Sequence, residues 1–81
     1  MESYNQILNE LNNVFHDVFK NNTLVIGPET TATDVKEWDS LNHMYLIAEI
    51  ENHFNCEFSF DEVVNFKNVG DVIATIQNKQ S

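Results

Sequence analysis

Trp38-Asp39-Ser40-Leu41-Asn42-His43-Met44-Tyr45-Leu46-Ile47-Ala48-Glu49-Ile50-Glu51-Asn52-His53-Phe54-Asn55 is the stretch on which the fold turns. With Asp39 as N-cap, the spacing predicts a helix from Ser40 to Asn55. Setting Ser40 at zero and advancing ~100° per residue puts His43, Leu46, Ile47, Ile50 and Phe54 in one arc, centred at about 290°. Leu41, Met44, Tyr45 and Ala48 fall in a second arc, centred at about 90°. A small helical domain can hardly bury both. The first arc is assigned to the core, with Phe54 as a core residue. The second is expected to stay exposed as a partner surface that begins beside Ser40. The competing reading is that the preceding loop covers Leu41 and Tyr45. Single exposed apolar residues are also ordinary.

Working outward, a first helix is predicted over Tyr4–Phe19. Ser3 and Gln6 form a capping-box pattern, and Ile7, Leu8, Leu11, Val14, Phe15, Val18 and Phe19 recur at three- and four-residue steps. Asn21-Asn22 is expected to end it, because Asn tolerates left-handed geometry. Asn21 to Glu37 reads as a long connection, with a turn at Gly27-Pro28. Leu24, Val25 and Ile26 are expected to pin it to the core. Ser59 with Glu62 opens a short third helix to Asn65. Asn68 with Asp71 opens a fourth, which carries Val69, Val72, Ile73 and Ile76 inward. The expected fold is therefore all-α: a four-helix bundle of three longer helices and one short one, with a long loop between the first two. Residues 1–81 form a single domain in this reading.

Composition narrows the functions. A chain of 81 residues buries only about 60% of its unfolded surface, so a deep enclosed active site would be hard to build. Thirteen acids against four bases give a formal charge of −9. Nucleic acid and anionic membrane surfaces are poor partners for such a surface. Basic patches on other proteins are the natural ones, and charge would steer the encounter. Cys56 is the one cysteine, so no intramolecular disulfide or cysteine-based zinc cluster is expected. Neither a signal peptide nor a membrane-spanning run is legible. The expected setting is reduced and cytoplasmic, and the expected state monomeric.

Ser40 is the candidate site. A serine opening a helix presents its hydroxyl at the positive end of the helix dipole, where backbone N–H groups favour a phosphate. An ordinary helix start would use the same residues. The combination is more telling: a spare apolar face beside the serine, a long loop before it, and a small acidic helical domain around it. A tethered arm needs that layout. A serine hydrolase built on Ser40 and His43 lacks a Gly-x-Ser-x-Gly elbow and a visible orienting acid. His43 is read as capping the core edge. His53 and Cys56 have a spacing that a metal could use, but no second pair completes a site.

The chain resembles the acyl and peptidyl carrier proteins over nearly its whole length. Asp39-Ser40-Leu41 matches their attachment motif, and Phe54, Glu57-Phe58, Asp61-Glu62, Val69 and Ile76 fall where that family keeps similar residues. The resemblance implies 4′-phosphopantetheine from coenzyme A on Ser40, with Asp39 and Leu41 completing the motif. It implies a phosphopantetheinyl transferase using Mg²⁺, an acyl- or aminoacyl-loading enzyme and downstream acceptor enzymes as partners. It further implies a carrier that catalyses nothing itself. Leu41, Met44, Tyr45, Ala48 and Glu51 are expected to meet those partners, with Glu51 facing solvent. The alternative is a carrier-like interaction module whose serine is never modified. Glu37-Trp38 replaces the glycine-rich approach of fatty-acid carriers. Asn42, Tyr45 and Asn52 stand where acids are frequent in that group. The chain therefore looks more like stand-alone carriers of specialised pathways.

Overall fold

The computed structural model describes residues 2–80. The single-domain reading of 1–81 extends to Met1 and Ser81, which lie outside the described residues. The described elements are all helical, in the order α1 (Tyr4–Phe19), α2 (Ser40–Phe54), α3 (Phe60–Asn65) and α4 (Val69–Gln80).

Local chemistry sets the helix starts. The Ser3 side chain accepts from Gln6 N–H while the Gln6 side chain accepts from Ser3 N–H. Ser59 and Glu62 repeat this reciprocal pair at α3. Asn68 Oδ1 accepts from Asp71 N–H at the head of α4. Each arrangement satisfies N–H groups that a helix cannot pair internally. The end of α1 differs from expectation. Lys20, not Asn21, takes the left-handed conformation at φ 53°. The Lys20 and Asn21 N–H groups both turn back to the His16 carbonyl. Asn55 is left-handed in the same way after α2, also at φ 53°.

Packing decides which faces turn inward. α1 lies against α2 and α4, burying Ile7, Leu11, Val14, Phe15, Val18 and Phe19. α4 contributes Val69, Val72, Ile73 and Ile76. Leu46, Ile47 and Ile50 are the buried residues of α2. Full burial of such side chains is worth about 1.5–3 kcal/mol each, against about 1 kcal/mol for a helix cap. The Asp39 cap therefore fixes where α2 begins, and the three aliphatic side chains fix its rotation. Phe54 is not fully buried as expected. It is half-buried at the edge of the core, with its ring edge-on to His53 at 4.8 Å, because α2 ends there.

The long loop is held by more than apolar pins. Ile26 is buried and Leu24 packs against the core, but Val25 is 83% exposed, against expectation. Adjacent residues in an extended segment point to opposite sides, so the three could not all turn inward. Polar groups of α1 complete the attachment. Asn12 accepts from Ile26 N–H at 2.8 Å and donates to its carbonyl, and His16 Nε2 meets the Leu24 carbonyl. Further along, Pro28 and Thr30 carbonyls accept from Gly70 and Val69 N–H at 2.8 and 2.9 Å. The loop thereby covers the unpaired N–H groups that open α4. The approach explains Gly70, since a Cβ there would lie 3.0 Å from the Pro28 oxygen. Val35 and Trp38 then enter the core at the far end of the loop.

Candidate functional site

Ser40 is the first residue of α2 and is exposed. The turn around it is tied down from both sides. Asp39 Oδ1 accepts from Asn42 N–H at 2.8 Å, and the Asp39 carbonyl accepts from His43 N–H at 2.8 Å. The Asn42 side chain reaches back to donate to the Glu37 carbonyl at 2.8 Å. The Trp38 indole N–H donates to His43 Nδ1 at 2.9 Å. Of the three residues before the serine, Glu37 is thus bound to Asn42, Trp38 to His43, and Asp39 to both. The serine rides on a rigid turn at the positive end of a fifteen-residue helix.

An open groove of about 530 Å³ adjoins that turn. It runs from Asp39 and Ser40 over Trp38 and His43 to Val63, Val64 and Phe66. Trp38 is only 6% exposed and meets Phe15 edge-on at 5.2 Å, so it is both core and groove floor. A depression of similar size between α3 and α4 is lined instead by Asp61, Glu62, Lys67 and Asp71 with their neighbours, and does not include Ser40.

The stripe expected to be exposed is exposed. Leu41 is 81% accessible, Met44 58% and Tyr45 54%, and Ala48 is exposed with them. The loop does not cover it. α3 adds Phe60 and Val64, both exposed, which share a helix face by their four-residue spacing. These two were missed in the sequence, although Phe60-x-x-x-Val64 after a cap is a legible apolar pair. Trp38 and His43 were also legible. They occupy the positions before the cap and four residues into the helix, where a packed pair commonly fixes the entry of the chain.

Glu51 requires a correction. It does not face solvent freely. It is half-buried, and its Oε2 accepts from Phe58 N–H at 2.8 Å, closing the turn between α2 and α3. Its carboxylate is structural because the chain reverses after Asn55 and brings Phe58 back to it.

The other candidates also find their places. His43 directs one ring nitrogen at Trp38 and the other at the Val63 carbonyl, 3.4 Å away, so neither is committed to Ser40. His53 Nε2 lies 2.9 Å from Glu10 Oε1 across α1 and α2. Cys56 is a half-buried free thiol whose pKa is pushed up mainly by burial. Among the described residues no group of three or more His, Cys, Asp or Glu is placed to hold a metal ion. No described helix is long and apolar enough to cross a membrane.

The family model described as "Phosphopantetheine attachment site" matches residues 9–76. The chain is similar to the acyl carrier protein of Acidothermus cellulolyticus, with 33% identity over 76 residues covering 94% of this chain and 90% of that one. A shorter match, 39% identical over 41 residues, links 51% of this chain to 56% of an acyl carrier protein homolog from Mycoplasmopsis pulmonis. The solution NMR structure of holo acyl carrier protein from Geobacter metallireducens superposes with a TM-score of 0.85 at 38% identity. The match covers 91% of this chain and 85% of that one. The four helices, the exposed Asp39-Ser40-Leu41 turn and these likenesses have one reading: the chain belongs to the acyl carrier protein family, whose prosthetic group is 4′-phosphopantetheine.

Proposed function

We propose that Ser40 carries the 4′-phosphopantetheine arm and that the chain shuttles an acyl or aminoacyl thioester between biosynthetic enzymes, catalysing nothing itself. The observation that carries this reading is the exposed serine on a braced helix start, with an apolar groove on one side and an unpartnered apolar stripe on the other. These residues fit the group. The helix start favours the phosphodiester charge, and Trp38, Val63 and Val64 offer an apolar wall beside a flexible chain. When bound, the arm supplies a terminal thiol on which cargo is held as a thioester.

Loading is a phosphoryl transfer. Ser40 Oγ attacks the phosphorus that bears the pantetheine of coenzyme A and displaces adenosine 3′,5′-bisphosphate. The serine proton passes to the transferase. Asp39 and Asn42 hold the attacking residue in place through the cap and the Glu37 contact. Leu41, Met44, Tyr45 and Ala48 supply the apolar docking contact, and the net negative charge steers a basic partner toward it. Asn42, Tyr45 and Asn52 leave α2 less acidic than in carriers of fatty-acid synthesis, which supports a stand-alone carrier of a specialised pathway.

The test is intact mass after incubation with coenzyme A and a promiscuous phosphopantetheinyl transferase. The wild-type chain should gain one phosphopantetheine and Ser40→Ala none, with unchanged helicity. An unmodified wild-type chain would favour the interaction-module reading. Loading of Ser40→Ala would move the site.

A further inference from the structure

Ser40 lies between two residues that are bound to each other. Trp38 precedes it by two positions and His43 follows it by three. The indole N–H is a donor only, and it points at His43 Nδ1 from 2.9 Å. Nδ1 must therefore accept, which places the neutral ring's proton on Nε2. That nitrogen faces the Val63 carbonyl of α3 at 3.4 Å. The two rings are near-parallel, 23° apart in plane with centroids separated by 6.0 Å. One side chain on α2 thus joins the loop before the serine to the helix across the groove.

α3 has need of such a bridge. It is six residues long and buries no side chain. Glu62 of α3 also pairs with Lys79 of α4, at 3.0 Å. Trp38 in turn rests on the core through Phe15. The path from Phe15 through Trp38 and His43 to Val63 references the groove wall to the core of the domain.

We infer that His43 is a positioning residue for the chemistry at Ser40: by accepting from Trp38 and meeting Val63, it fixes the serine turn and the α3 wall relative to each other. This rests on Ser40 as the attachment residue. His43 falls on the side of α2 away from Leu41, Met44, Tyr45 and Ala48. Its loss should therefore disturb presentation of the serine and leave the docking stripe intact. The kinetic consequence falls on kcat for loading rather than on KM for the carrier.

Loading kinetics with coenzyme A and a promiscuous phosphopantetheinyl transferase test this on the full chain, with Ser40→Ala as the blank. His43→Leu removes both ring nitrogens. His43→Asn restores an acceptor where Nδ1 stood. His43→Leu should lower kcat by about 10-fold, short of the ~10²-fold that an ångström of misplacement can cost, with KM unchanged. His43→Asn should recover most of the loss. Trp38 is the sole tryptophan, so its single indole N–H resonance reads the bond directly. It should be protected from exchange in wild type and His43→Asn and unprotected in His43→Leu. Should His43→Leu fail to fold, Trp38→Phe deletes the donor while keeping a ring on Phe15, and it must show the same loss of kcat. Wild-type kcat in His43→Leu, or an equal loss in the Leu and Asn variants, overturns the inference while the attachment reading stands. A wild-type chain that takes no arm overturns both.

Discussion

Replacing Glu51 tests the structure where it departs most from the sequence. In the structure Glu51 Oε2 accepts from Phe58 N–H at 2.8 Å in a partly buried turn. A hydrogen bond to a charged group contributes about 1.5–3 kcal/mol, and a buried N–H left without a partner costs about 1–3 kcal/mol. Glu51 and Phe58 are only half-buried, so water can recover part of the loss. Glu51→Ala should therefore destabilise the fold by about 1–2 kcal/mol. For a domain of 60–100 residues each kcal/mol moves Tm by about 4–8 °C, so the expected drop is roughly 4–16 °C. Glu51→Gln keeps an acceptor but loses the charge, and should recover about half of the difference. Glu51→Lys should fall at least as far as Glu51→Ala. Thermal and urea unfolding followed by far-ultraviolet circular dichroism measure all three. A solvent-facing docking residue predicts the opposite pattern: unchanged stability, with a salt-dependent loss of association rate in Glu51→Lys. A shift in stability below about 0.5 kcal/mol for Glu51→Ala, the range of ordinary surface substitutions, would refute the structural role.

Three further outcomes follow from the geometry. Met44→Glu should raise KM for the transferase at any ionic strength while changing stability by no more than about 0.5 kcal/mol; unfolding of this variant would mean that α2 turns its other face inward. Phe54→Ala should cost about 1.5–2.5 kcal/mol, about half the 3–5 kcal/mol of a fully buried Phe, since Phe54 lies at the core edge; a measured loss above 3 kcal/mol would return it to the interior. The Glu62 carboxyl is held below its ordinary pKa by the Ser59 backbone N–H first and Lys79 second. Its stabilising contribution is thus present above the unfolded carboxylate range and lost as pH falls through the lower folded value. The Tm gap between wild type and Glu62→Gln should narrow in acid, and a gap independent of pH would contradict the assignment.

What the sequence determined by itself was local. Hydrophobic periodicity gave the helices, and Ser3/Gln6, Asp39 and Ser59/Glu62 gave their starts, because a cap and its partner lie within three residues of each other. The two-sided character of α2, with Ser40 at its mouth, was legible for the same reason: a helix face is a property of spacing alone. What only the tertiary structure decided involves residues brought together from afar. Asn12 and His16 choose Ile26 and Leu24 over Val25 as loop anchors. Pro28 and Thr30 cap α4. Glu51 is claimed by Phe58 when the chain reverses, and Trp38 becomes core because Phe15 is there to receive it. No period or cap encodes these contacts, since each depends on where a second segment lies once the aliphatic faces of α1, α2 and α4 have closed on one another.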